Sequence, residues 1–215
     1  SSWGNDFTLH ARLSPWMGAA TRRALRAAAA LHADCRRDLR LAQAWGFDPA
    51  KPVLVAPGNG GIDTHLFRPP AMPPAEPVVI NPRGFRGYVR NDTFFRAIPL
   101  VLATCPQARF RCATMAGVPA AEAWVRKLGL EQTVELLAPR PHAEMAALYQ
   151  SARVAVSPST HDGTPNTLLE AMACGCLPVA GDLESLREWI TPGENGLLID
   201  PADPQALAQA ILTAL

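Results

Sequence analysis

The chain has 215 residues, a length that suits one large domain or two small ones. Lys plus Arg number 20 against 19 Asp plus Glu, and a formal charge of +1 leaves no electrostatic footprint for nucleic acid or an acidic membrane surface. Hydrophobic residues make up 48% and charged residues 18%, enough apolar material for a core, which excludes intrinsic disorder.

The first 70 residues have a character of their own. Pro15–Ala28 reads as an Ala/Arg-rich helix, Ala30–Ala33 as a short strand, Arg36–Trp45 as a helix and Pro52–Ala56 as a strand. The loop Pro57-Gly58-Asn59-Gly60-Gly61-Ile62-Asp63 lacks the Lys-Ser/Thr of a phosphate-binding P-loop and is read as a turn entering a hinge. Arg68–Pro74 is proline-rich, as stiff interdomain linkers are, and marks the domain boundary: residues 1–68 as the tail of one domain, 69–215 as a second.

From Pro77 onward apolar runs alternate with helical stretches. Strands are expected at Pro77–Asn81, Arg109–Thr114, Thr133–Leu137, Val154–Ser157, Leu177–Ala180 and Gly196–Ile199. Helices are expected at Asp92–Thr104 (despite Pro99), Ala120–Leu128, Ala143–Ser151, Pro165–Cys174, Leu183–Ile190 and Pro204–Leu215. Such alternation implies an α/β fold: a Rossmann-like, doubly wound parallel sheet covered on both faces.

The longest uncharged stretches, Ala97–Ala108 and Ala171–Gly181, fall short of the roughly 20 residues a spanning helix needs, so any membrane association is expected to be peripheral. Ser1-Ser2-Trp3-Gly4-Asn5-Asp6 has neither the basic nor the apolar region of a signal peptide. Cys35, Cys105, Cys112, Cys174 and Cys176 form no CxxC pair, so reduced, packed thiols in a cytoplasmic protein without a metal are expected. Only Lys51 and Lys127 are lysines, so a phosphate-binding cation is expected to be a guanidinium.

The segment Ser157–Gly181 carries the chemistry. It reads as a strand end, a loop with Asp162 and Gly163, and a helix capped by Thr164 with Pro165 at its first position. The backbone N–H groups of Thr164, Pro165-flanked Asn166 and Thr167, together with the helix dipole, form an anion site. Glu170 lies about 7 Å further up the helix at 1.5 Å per residue. An acid, an anion-binding terminus and a second acid match a sugar, a pyrophosphate and the two ribose hydroxyls of a nucleotide sugar. Glu170 stands among Leu168, Leu169 and Met172, where a carboxylate needs a partner.

Asp162 and Glu170, with seven residues between, resemble the paired acids of the retaining family 4 glycosyltransferases of GT-B fold (glycosyl transferases group 1). LEAMACGCLPVAGDLESLREWITPGENGLLIDPADPQALAQAI and VLVAPGNGGIDTHLFRP follow the family pattern too, so the likeness covers nearly the whole chain. It implies that 1–68 is the remnant of an acceptor domain and 69–215 a donor-binding domain cut short at its C-terminus. It also implies transfer of a sugar (hexosyltransferase type) from a UDP- or GDP-linked donor to a sugar, lipid or other glycan precursor, with no metal and no other cofactor. Asp162, Arg83 and Arg90 are then the catalytic set. The donor contacts are Arg83, Arg86, Arg90, Asp162, Gly163, Thr164, Pro165, Asn166, Thr167 and Glu170.

The sequence departs from the family in having Asp for the first Glu, Thr164-Pro165 for Phe-Gly, and Arg for Lys at position 90. Two alternatives stand beside this reading: a sugar-nucleotide-binding module inactive in isolation, and an epimerase or phosphorylase on the same fold. The absence of GxGxxG after the first strand of the second domain disfavours a dehydrogenase. His161 is read as a loop histidine held by local hydrogen bonds, His142 as the start of a helix, and Arg140 as a weak candidate for base contact. Arg22, Arg23, Arg26, Arg36, Arg37 and Arg40 are read as a solvated face or an interface to the missing part of the first domain.

Overall fold

A computed structural model describes residues 1–2, 5–58 and 60–215; Trp3, Gly4 and Asn59 lie outside the described residues. The chain divides into two units. The first holds Ser1–Gly61, His161–Asn166 and Leu183–Trp189, and the second Ile62–Thr160, Thr167–Asp182 and Ile190–Leu215.

In the first unit, α1 (Pro15–Ala27) starts where Ser14 accepts a hydrogen bond from the Met17 amide and Pro15 fills a position that needs no donor. β1 (Leu31–Ala33) pairs in parallel with β2 (Val53–Val55), in register Leu31↔Val53 to Ala33↔Val55. α2 (Arg36–Ala44) lies between them in sequence. Phe7, Leu25, Leu31, Ala33, Ala42 and Phe47 form the core, while β2 leaves Leu54 60% exposed.

The second unit holds β3 (Val78–Asn81), α3 (Asn91–Thr104), β4 (Arg109–Cys112), α4 (Pro119–Leu128), β5 (Val134–Leu136), α5 (His142–Gln150) and β6 (Val154–Ser157). It continues with α6 (Asn166–Ala173, from Thr167 on), β7 (Leu177–Gly181), β8 (Leu197–Ile199) and α7 (Pro204–Ala214). All pairings are parallel, in the order β5-β4-β3-β6-β7-β8. Counted from β3 this is the 3-2-1-4-5-6 order of doubly wound sheets, with the direction of winding reversing between β3 and β6. The expected fold class holds.

The strands read as unbroken apolar runs because both faces are covered. Val79 points to the side packed by Phe94, Ile98 and Ile211; Val78 and Ile80 point to the side packed by Tyr149 and Ala171. Pro99 inside α3 costs about 3 kcal/mol. Burial of Phe94, Phe95, Ile98 and Val101, each completely enclosed, outweighs it at about 1.5–3 kcal/mol per side chain. α6 ends in a left-handed turn at Gly175 (φ +88°), where the Gly175 amide donates to Met172 and the Cys176 amide to Ala171.

One expected element is corrected. Leu183–Ile190 is not a full helix; only a 3-10 turn, Leu186–Glu188, forms there. Its polar side chains are engaged elsewhere in the first unit, where Glu188 accepts from the amides of Arg36 and Arg37 at 3.0 and 3.2 Å. α2 has no local side-chain cap, and this distant carboxylate satisfies its first donors.

Gly181, at the carboxyl end of β7, passes so close to the Ser159 carbonyl that a Cβ there would collide with it. Gly181→Ala is expected to lower stability by about 1–3 kcal/mol through forced backbone displacement, read from urea unfolding midpoints.

Candidate functional site

In a doubly wound sheet, ligands sit outside the carboxyl ends of the strands where the winding reverses. Here those ends are β3, leading into Pro82–Arg90, and β6, leading into Pro158–Thr160. The two loops are joined: Arg90 donates its amide to Pro158 at 3.0 Å, and Thr160 its amide to Tyr88 at 2.8 Å, around a Val89–Ser159 bridge.

Two buried asparagines shape the first loop from within. Asn81 accepts from the Arg83 amide at 3.1 Å, and Asn91 donates to the carbonyls of Gly84 and Val89, each at 3.3 Å. Neither was singled out from the sequence. An Asn closing an apolar strand and an Asn opening the next helix were the available signals.

The three candidate arginines of this loop have different fates. Arg83 reaches α6, where its Nη1 donates to Thr167 Oγ1 at 3.1 Å. Arg86 turns to the Tyr88 hydroxyl at 2.9 Å. Arg90 forms a fork on Asp92, with both bonds at 2.8 Å, and these bonds hold the Asp92 carboxyl below its ordinary range. Arg140 pairs with Glu144 at 3.1 Å.

Glu170 is buried, as its apolar neighbours required, and its partners come from α5. His142 Nε2 lies 2.8 Å from Oε1, and the Tyr149 hydroxyl donates to Oε2 at 3.3 Å. His142 does open its helix, as expected, but the contact with Glu170 was not anticipated; the residues are too far apart in sequence for a local pattern to reveal it. Burial, then the charge of Glu170, pushes the Tyr149 hydroxyl far up and keeps it a donor.

Of the candidate residues, Asp162, Gly163, Thr164, Pro165 and Asn166 belong to the first unit, and Arg83, Arg86, Arg90, Thr167 and Glu170 to the second. Thr164 needs a correction. α6 begins at Asn166, and Thr164 does not serve as an open amide: its N–H donates to Asp34 Oδ2 at 2.7 Å and its hydroxyl to the Asp34 carbonyl at 2.8 Å. Asp34 also accepts from Gly58 at 2.8 Å, so one buried acid organises two loops of this unit.

Arg37 is corrected as well, since it is 7% exposed and not part of a solvated face. Its guanidinium donates to the Asp162 carbonyl at 2.6 Å and to Ser185 at 3.1 Å, and forks onto Asp38 at 2.6 and 2.9 Å. Burial pushes Asp38 up while Arg37 pulls it down. Burial first, then Arg37 and Arg12, pushes His161 down, toward its neutral form. Arg22 lies over the Trp45 ring at 4.7 Å, and Arg40 pairs with Glu184 at 2.6 Å. Among the described residues no cluster of His, Cys, Asp and Glu is arranged to hold a metal, and no helix is long and apolar enough to cross a membrane.

The parallel six-stranded sheet with its reversal at β3 and β6 defines a Rossmann-like domain of the GT-B glycosyltransferase type. The profile of the family described as glycosyl transferases group 1 matches residues 83–215, and the chain belongs to that family. A D-inositol 3-phosphate glycosyltransferase of Corynebacterium urealyticum is 38% identical over 90 residues, which are 42% of this chain and 21% of the relative. The same enzyme of Thermobispora bispora is 26% identical over 185 residues, 77% of this chain and 43% of the relative. The chain thus spans less than half the length of these curated relatives. Among solved structures, HepE of Anabaena in complex with UDP and glucose superposes with a TM-score of 0.78 at 21% identity, covering 97% of this chain and 60% of that one. Sucrose-phosphate synthase of Thermosynechococcus elongatus gives 0.77 at 24% identity, covering 95% and 53%.

Arg37→Met leaves Asp38 buried without its counter-charge and is expected to cost about 3–5 kcal/mol in urea unfolding. The double variant Arg37→Met with Asp38→Leu is expected to recover most of that loss, because both desolvation penalties are then gone.

Proposed function

We propose that this chain supplies the donor-binding half of a metal-independent, retaining glycosyltransferase that moves a sugar from a UDP- or GDP-linked donor to an acceptor bound by the rest of the protein. One observation carries the reading: Arg83, leaving β3, meets Thr167 in the first turn of α6. A guanidinium and a helix N-terminus then converge where a doubly wound sheet takes its ligand. Both favour the negative charge that grows on the departing nucleoside diphosphate as the glycosidic bond breaks, so the leaving group is stabilised without a metal.

The remaining roles follow the family resemblance residue by residue. Arg90 assists on the diphosphate and Arg86 substitutes for either arginine. Asp162 receives a hydroxyl of the transferred sugar, and the Gly163–Thr167 stretch contacts sugar and phosphate. Pro165 has no amide to give, and Thr164 gives its own to Asp34, so Gly163, Asn166 and Thr167 carry the backbone contribution. Glu170 accepts the two ribose hydroxyls. Arg90 enters with its charge already matched by Asp92, which it must share to bind phosphate.

Calorimetric titration of the intact protein with UDP, GDP and ADP, with and without chelator, tests this. One nucleotide is expected to bind regardless of chelator. Glu170→Ala, Arg83→Ala and Arg90→Ala are each expected to weaken it about 10–150-fold, because each charge-assisted contact contributes about 1.5–3 kcal/mol. No binding by any of the three nucleotides overturns the reading.

A further inference from the structure

We propose that His142 is a positioning residue that sets the orientation of the Glu170 carboxylate for the nucleotide's ribose, an inference that rests on the ribose-binding role given to Glu170 above. A carboxylate offers about four lone-pair sites. Among the described residues, Tyr149 takes one on Oε2 and His142 one on Oε1, which leaves acceptor capacity on both oxygens. Two vicinal hydroxyls need an acceptor on each. The terminal torsion of a glutamate is broad and shallow, so an unheld carboxylate would present its free sites in many directions. Donors on opposite oxygens remove that freedom.

Each donor is itself held. Tyr149 is fully buried in α5. His142 opens the same helix, and its ring leans on buried Phe67 at 4.9 Å and 55°; Phe67 in turn lies 6.1 Å from Tyr149. The exposures differ: the Glu170 side chain is 8% exposed and the His142 side chain 66%. The imidazole is therefore the solvent-facing member of the set. With its proton on Nε2, His142 donates to Oε1 and orients the carboxylate.

The test is calorimetry on the intact protein with whichever of UDP, GDP or ADP binds. His142→Ala is expected to weaken binding about 3–10-fold, as loss of one orienting hydrogen bond does. His142→Gln, which keeps an N–H donor, is expected to restore most of it. Unchanged or tighter binding by His142→Ala, or failure of Gln to rescue, overturns the positioning role. Wild-type affinity in Glu170→Ala, or no binding by the wild type, instead overturns the ribose reading, and the inference falls with it.

Discussion

The parallel pairing of β3 with β6 is the constraint on which the second unit depends. Val79 lies opposite Val154 and Ile80 opposite Ala155, in the middle of the sheet and away from both edges. Chain segments leave this pair in opposite directions, so no crossover covers its carboxyl end. The loops that emerge there are tied by backbone hydrogen bonds through Tyr88, Arg90, Pro158 and Thr160 and cannot open independently. A shift of this register would displace Arg83 relative to α6, so the guanidinium and Thr167 keep their mutual geometry as long as the core pair is intact.

Around that pair the fold was legible in the sequence wherever the signal is local. Val-Val-Ile, Val-Ala-Val and Leu-Pro-Val-Ala announce strands buried on both faces, and Ser14-Pro15, Asp203-Pro204 and Gly175 announce helix ends through chemistry confined to one turn. What was not legible depends on partners remote in sequence. Leu183–Ile190 has helical spacing, yet its carboxylates are drawn to α2 some 150 residues upstream. Thr164-Pro165 looks like a helix cap, yet Asp34 takes both polar groups of Thr164. In each case a charge-assisted bond to a distant group outweighed a local preference, as expected when local terms are about 1 kcal/mol and charge-assisted bonds up to about three times that.

Charge is used in pairs rather than as a field, which is why a net charge of +1 coexists with several arginines near one strand end. Arg90 has Asp92, Arg40 has Glu184, Arg140 has Glu144 and Arg37 has Asp38. The family resemblance gives Arg83 and Arg90 separate positions in the Pro82–Arg90 loop, with Arg86 as a substitute for either. The structure separates them by partner. A guanidinium forked onto a carboxylate, as Arg90 is on Asp92, must share or exchange it to receive a phosphate.

Glu170 poses the opposite problem, since its charge sits where a leucine would serve stability better. It is the fifth residue of α6, beyond the first turn where the helix dipole favours an acid. Its burial must therefore be offset by donors, and the helix itself has none to give there. Tyr149 and His142 supply one each, fewer than a buried carboxylate can accept. A purely structural acid in so apolar a setting would be expected to have its remaining sites filled by protein. In the proposed donor site, an acid with capacity on both oxygens, beneath an exposed imidazole, would accept hydrogen bonds from a molecule that comes and goes. The same helix would then divide its labour along its length: the N-terminal turn, beside Arg83, for a diphosphate, and the buried acid one turn further in for the ribose hydroxyls.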